Sequence, residues 1–150
     1  MSDVKQGMLG LGIVAGLVLV GCGPIPGGAL DGERASAPAD WGAFLASEGA
    51  VCEVESRREA PHSIQLYCFV HNGGLYAQSH RWALSPWWPT QSWASIWLEN
   101  PEVRVRIDDA LFDLVAVPVT RAEVREPVIA SLGYDPVPDG IVLFRFGPRE

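Results

Sequence analysis

The chain has 150 residues, a formal net charge of −7 and only 11 lysines and arginines. A nucleic-acid-binding surface must neutralise phosphates with clustered basic side chains, so an acidic chain without a basic stripe is not expected to bind nucleic acid. The hydrophobic share of 48% and the six tryptophans indicate a chain that buries a core, and the length suits one domain.

An uncharged, apolar run extends from Met8 to Val20 and is followed directly by Gly21 and Cys22. The run has the length of a signal-peptide core and is too short to span a bilayer. Leu19-Val20-Gly21-Cys22 resembles the lipobox of bacterial lipoproteins. In those proteins the cysteine is acylated and becomes the new amino terminus.

The lipobox resemblance implies a signal peptide over residues 1–21 and a membrane anchor of lipid chains, palmitate among them, on Cys22. Each buried methylene of such chains contributes about 0.8 kcal/mol, so two or more chains hold firmly. Gly23 stands where an aspartate would retain a lipoprotein of this kind at the inner membrane. The resemblance therefore implies a protein on the inner leaflet of the outer membrane that faces the periplasm.

Residues 22–39 are rich in glycine, proline, serine and alanine and have no hydrophobic period. That composition predicts a flexible tether, followed by one globular domain over residues 40–150. At the start of this domain Trp41, Phe44 and Leu45 have helical spacing, which predicts a short segment that docks on the rest.

The first half of the domain predicts three strands joined by two hairpins. Two β-rich runs, 51–56 and 64–71, are separated by charged residues and a proline, which predicts the first hairpin. Asn72-Gly73-Gly74 is a strong turn signal and leads into the third strand.

The second half predicts two helices and three strands: a helix over 90–99, strands over 103–107 and 111–119, a helix that begins near Thr120, and a strand over 141–146. Thr120 and Glu123 have the spacing of a capping box, and Pro127 predicts a kink or a restart. This order of hairpins and helices is typical of a small barrel with helices against its openings. We predict a mainly β chain with two helices, in the α+β class, built as a six-stranded antiparallel barrel.

Two segments resemble the split-barrel flavin-binding superfamily, in the branch of pyridoxamine-phosphate-oxidase-like and deazaflavin-dependent nitroreductase-like proteins. Residues 93–105, Trp-Ala-Ser-Ile-Trp-Leu-Glu-Asn-Pro-Glu-Val-Arg-Val, resemble its helix-to-strand signature. Gly74-Leu-Tyr leads into Ser79-His80-Arg81, where that superfamily often places groups near a cofactor phosphate. The resemblance implies a split barrel and a flavin or deazaflavin cofactor near Ser79, His80 and Arg81.

Five tryptophans lie within sixteen residues: Trp82, Trp87, Trp88, Trp93 and Trp97. Core packing that seals one end of the barrel is the preferred interpretation. The alternative is a pocket in which a planar ring stacks on Trp93, with Ser79, His80 and Arg81 at its rim.

Cys52 and Cys68 remain once Cys22 is lipidated, and an oxidising periplasm favours a disulfide between them. If the first hairpin is symmetric about Ala60, these two cysteines lie opposite each other on one apolar face with Ile64. Two buried free cysteines are the alternative.

The histidines, two neighbouring aspartates and two arginines of the domain do not indicate a catalytic or metal site. His62, His71 and His80 are too far apart to share one metal-binding face, so we predict no metal site. Asp108 and Asp109 are expected to be turn residues rather than catalytic carboxylates. Arg104 and Arg106 share one strand face, which is expected to be solvated, with a ligand or partner face as the alternative.

Two functions remain in different classes. We favour an envelope lipoprotein whose split-barrel domain binds a small molecule or an envelope protein without catalysis, because the chain has few basic side chains to neutralise a flavin phosphate. No catalytic residue is predicted. The alternative is a flavin- or deazaflavin-dependent oxidoreductase of the nitroreductase-like kind. A homodimer is left open.

Overall fold

The computed structural model describes residues 27–56, 59–86 and 92–149. Cys22 and the predicted signal peptide lie outside these ranges, as do Trp87 and Trp88. No helix within the described ranges is long and apolar enough to cross a membrane. The elements in chain order are β1 (Glu33–Arg34), α1 (Trp41–Leu45), β2 (Gly49–Ser56), β3 (His62–His71), β4 (Gly74–Gln78), α2 (Trp93–Glu99), β5 (Glu102–Ile107), β6 (Ala110–Pro118), α3 (Ala122–Ala130) and β7 (Leu143–Pro148).

The six longer strands form one closed antiparallel barrel. Going round it, the order is β6, β5, β2, β3, β4 and β7, and β7 pairs again with β6. This confirms the predicted fold class, a mainly β chain of the α+β kind with a six-stranded split barrel. Two strands share one edge of β6. Strand β7 pairs with Leu114–Pro118, and the two-residue β1 runs parallel to Ala110–Leu111.

Strand β5 shows why these residues form a barrel wall. Val103, Val105 and Ile107 are buried in the interior, whereas Arg104 and Arg106 alternate with them on the outer face. A strand places successive side chains on opposite faces, so this two-residue period alone assigns the inside and the outside.

The β2–β3 hairpin holds the predicted cysteine pair, although its register differs from the expected one. Cys52 lies opposite Leu66, and Cys68 lies opposite Ala50, so the symmetry centre at Ala60 is wrong by one residue. That shift moves the pairing by two positions and leaves both cysteines on the same face. Both are fully buried, with their Cα atoms 5.9 Å apart at disulfide distance.

The two longer helices begin differently from each other. Ser92 caps α2 by accepting a hydrogen bond from the backbone N–H of Ser95, 3.2 Å away. The capping box predicted for α3 is wrong. The N-cap residue is Arg121, and its side chain makes no capping hydrogen bond. The helix also runs through Pro127 without a restart, and Val128 and Ile129 beyond it are buried in a second apolar cluster.

Residues 27–34, which we call the strap, lie across the outside of four neighbouring strands. The strap begins with a bridge to β3 and ends as β1 beside β6. Between these points the backbone N–H of Leu30 donates to Glu55 on β2, and Arg106 on β5 donates to the carbonyl oxygen of Asp31. Leu30 itself is buried. The described part of the predicted tether is therefore docked on the barrel from Gly27 onward.

Candidate ligand-binding groove

A groove of about 530 Å³ opens at one end of the barrel, beside the chain that leads into α1. Its walls come from that segment, from the β3–β4 turn and from β6 and β7. The lining consists of Ala37, Pro38, Ala39, Trp41, Gly73, Gly74, Val117, Arg145, Phe146, Gly147 and Pro148. Nearly all of these residues are apolar or lack a polar side chain, so the groove suits an apolar body.

Arg145 is the charged side chain among these lining residues. It stands on β7 opposite Tyr76 of β4 and Val117 of β6, and it is exposed. Within the described parts of the chain it has no ion-pair partner, whereas Arg106 pairs with Glu53 and Arg149 with Glu102. A guanidinium presents planar donors that suit a carboxylate or phosphate, so the groove offers one site for an anion.

The floor of the groove is backbone at Gly74. A Cβ there would lie 2.9 Å from the Tyr76 ring and 3.3 Å from Nε of Arg145. Because Gly74 has no side chain, the guanidinium of Arg145 has room to lie across β4. Gly73, with φ of +74°, makes the turn that brings this floor next to α1.

The opposite wall is attached directly to the floor. Trp41 donates its backbone N–H to the carbonyl oxygen of Gly73 at 3.0 Å, and its buried ring lies 5.0 Å from that of Phe112. Asp40 caps α1 by accepting from the N–H groups of Gly42 and Ala43. Because these contacts hold α1 in place, the groove is formed before any ligand arrives.

The predicted cofactor residues Ser79, His80 and Arg81 lie elsewhere and do not line this groove. The buried hydroxyl of Ser79 donates to the carbonyl oxygen of His80 and accepts from the N–H of Val142. Nδ1 of His80 accepts from the N–H of Trp82, and the guanidinium of Arg81 lies 4.3 Å from the Trp82 ring. These are contacts within the chain, and a cofactor phosphate near Ser79, His80 and Arg81 stays a prediction.

Trp93 belongs to the aromatic packing under α2. Its ring lies 4.4 Å from that of Trp97, which is fully buried and also contacts Phe144 and Phe146. Trp93 is partly buried, while Trp82 is 55% exposed. The placement of Trp97 supports core packing for that part of the tryptophan cluster. Stacking of a flavin or deazaflavin ring on Trp93 stays a prediction.

The outer face of β5 is neither open nor simply solvated. Nε of Arg104 donates to Asp113 at 2.8 Å, and Asp113 also pairs with Arg34 of the strap. The hydrogen bond that Arg104 donates to Asp113 raises the pKa of Arg104, and the charges of Asp113 and Glu55 act in the same direction. The strap and these carboxylates thus cover the face.

The histidines and the aspartates of the third hairpin occupy separate places. His62 and His71 stand at opposite ends of β3, and His80 follows β4. Within the described residues no three His, Cys, Asp or Glu side chains group closely enough to hold a metal ion. Asp108, with φ of +52°, is in the turn between β5 and β6, as expected of a turn residue.

Sequence reasoning did not identify Arg145 or the groove around it. The signal it could have used is a single arginine between two buried aromatic residues, Phe144 and Phe146, in the last strand. That pattern marks an outward-facing cation but does not reveal its neighbours. Those neighbours come from β4 and β6, which only barrel closure brings together.

No protein-family model matches the chain, and no curated protein matches it at a significant level. Among solved structures it is similar to a Listeria innocua protein that is named, provisionally, as a pyridoxamine 5'-phosphate oxidase. The identity is 19%, the TM-score is 0.50, and the alignment covers 72% of this chain and 92% of the other. At that identity the similarity establishes the split-barrel fold alone.

Proposed function

We propose that this protein is an envelope lipoprotein, anchored through acylated Cys22, whose split-barrel domain binds a small molecule without catalysis. The proposed ligand has an anionic group for Arg145 and an apolar body for the groove around it. The observation that carries the binding proposal is the exposed Arg145 without an ion-pair partner among the described residues, in a groove with apolar walls.

The chemistry of the lining supports binding over catalysis. Apart from Arg145, the side chains that line the groove carry no acid, base or nucleophile. General acid–base and nucleophilic catalysis both need such a group within hydrogen-bond reach of the reacting atoms. A cation that fixes orientation, combined with apolar contact, is the usual composition of a binding site.

Binding can be tested with anilinonaphthalene sulfonate, a fluorescent probe that joins a sulfonate to aromatic rings. We expect Arg145→Gln to weaken its binding about tenfold or more, the scale of one lost hydrogen bond to a charged group. Arg121→Gln is the matched control, because Arg121 is 75% exposed and lies outside the groove. Equal affinities in the native protein and Arg145→Gln would contradict the proposal.

The anchor is tested separately by metabolic labelling with palmitate. We expect the native chain to incorporate the label and Cys22→Ser to remain an unlabelled, unprocessed precursor. Label that persists in Cys22→Ser would exclude this cysteine as the lipidation site. The proposal for the groove does not depend on this result.

The alternative function is a flavin- or deazaflavin-dependent oxidoreductase. Its support is the fold shared with the Listeria innocua protein, whose name refers to an oxidase. Under this alternative the cofactor would lie near Ser79, His80, Arg81 and Trp93. A purified protein that carries the visible absorbance of a flavin would favour it over the binding protein.

A further inference from the structure

The position of the strap limits how far the barrel can stand from a lipid anchor. Gly27 exchanges two backbone hydrogen bonds with Ser63, of 2.7 and 2.9 Å. Ser63 follows His62 at the start of β3, and His62 pairs with Ser56 at the end of β2. We call this end of the barrel, with Ser56, His62 and Ser63, the hairpin end. The docked chain therefore starts at the hairpin end.

We infer that the hairpin end of the barrel faces the bilayer and that the groove points away from it. This inference rests on the proposed acylation of Cys22. Gly27 is five residue steps from Cys22, and a fully extended chain of that length spans at most about 18 Å. Gly27 must then lie within about 18 Å of the anchored cysteine.

The opposite orientation meets or exceeds that reach. Glu48, directly before β2, is at the far end of the barrel, and eight residue steps along the strand to Ser56 span about 26 Å. The strands of a closed barrel tilt by about 35–45° from its axis, so with the far end on the bilayer Gly27 would lie about 18 to 21 Å above the surface. That height is at or beyond the maximum reach of five residue steps, which is about 18 Å. A tether that remained loose up to residue 39 would have allowed either orientation.

The surface of the hairpin end fits contact with lipid headgroups. Residues 27–29 and 59–62 are all exposed, and they are small or polar. The groove is at the other end, because its floor is the β3–β4 turn at Gly73 and Gly74. The ligand of the groove would therefore arrive from the aqueous side as a soluble anion rather than from the membrane as a lipid.

The orientation is tested with single cysteines in the full-length, lipidated chain. Fluorophores on His62→Cys and Glu48→Cys, both exposed positions, are compared in vesicles whose headgroups carry a spin-label quencher. We expect quenching at position 62 to be several-fold stronger than at position 48. Equal quenching, or stronger quenching at position 48, would overturn the inference. Unchanged melting temperatures show that neither cysteine disturbs the fold.

A second variant tests whether the short connection between Cys22 and Gly27 sets the orientation. Twenty glycine and serine residues inserted after Pro26 lengthen the connection to about 25 residue steps with an average span of about 28 Å, which removes the limit on orientation. We expect the difference between positions 62 and 48 to disappear in this variant. A difference that persists would show that the short connection is not responsible. Palmitate labelling of the same samples separates a failed anchor, which would overturn the proposed function as well, from a wrong orientation in an anchored protein.

Discussion

The backbone N–H of Leu30 donates a 2.6 Å hydrogen bond to Oε2 of Glu55, a carboxylate that is completely buried on the outer face of β2. Leu30 belongs to the strap and Glu55 to the barrel, so this bond connects two parts of the chain that are 25 residues apart. It gives the buried carboxylate a hydrogen-bond partner in the strap.

Replacement of Glu55 by Ala should release the strap and lower the free energy of unfolding by about 2 to 3 kcal/mol, because the bond involves a charged acceptor in a buried place. Glu53→Ala is the matched control on the same strand face. Glu53 pairs with Arg106 but is 36% exposed, so its loss should cost no more than about 1 kcal/mol. Urea unfolding measures both.

The release itself is visible by limited trypsin digestion, since Arg34 lies within the strap. Cleavage after Arg34 should accelerate more in Glu55→Ala than in Glu53→Ala, because Glu53 acts on the strap only through Arg106 and its hydrogen bond to Asp31. Equal cleavage rates in the native protein and Glu55→Ala would show that the bond does not hold the strap.

The Cys52–Cys68 disulfide should form in the native protein and stabilise it. The bridge closes a loop with a sequence separation of 16, for which chain entropy predicts about 3 kcal/mol. Intact-mass analysis after alkylation should find both thiols protected until reductant is added. In the Cys52→Ala/Cys68→Ala double variant, reductant should leave the urea midpoint unchanged. Two alkylated cysteines without reductant would refute the bridge.

Trp97 and Trp82 should respond very differently to truncation. Trp97 is fully buried against Phe144 and Phe146, so Trp97→Ala should lower the free energy of unfolding by about 3 to 5 kcal/mol. Trp82 is 55% exposed, and Trp82→Ala should change stability by no more than about 0.5 kcal/mol. Similar losses in both variants would contradict the assignment of Trp97 to the core.

Arg81 should have little influence on flavin binding. Its guanidinium lies over the Trp82 ring, so we expect Arg81→Ala to bind added flavin mononucleotide as the native protein does. Isothermal titration with flavin mononucleotide and with riboflavin, which lacks the phosphate, measures the contribution of that group. A preference for the phosphate that Arg81→Ala abolishes would support the oxidoreductase alternative.

Local sequence patterns were sufficient for most of the barrel. The alternation of valine and arginine in β5 assigned its two faces, and Asn72-Gly73-Gly74 located a hairpin turn, because both depend on neighbours within a few residues. The cysteine pair was predictable for a related reason. Any register shift of two positions keeps Cys52 and Cys68 on one face, so an error in the turn centre did not matter.

The sequence by itself thus determined the strands, their inner faces and the shared face of the two cysteines. The tertiary structure decided the course of the strap and the site at Arg145. Residues 27–34 have no hydrophobic period, and much of their docking uses backbone groups that all residue types except proline carry in full, as Gly27 does with Ser63. Arg145 became part of a groove only because barrel closure places β4 and β6 on either side of β7. Such long-range pairing depends on the packing of the whole chain and leaves no local pattern.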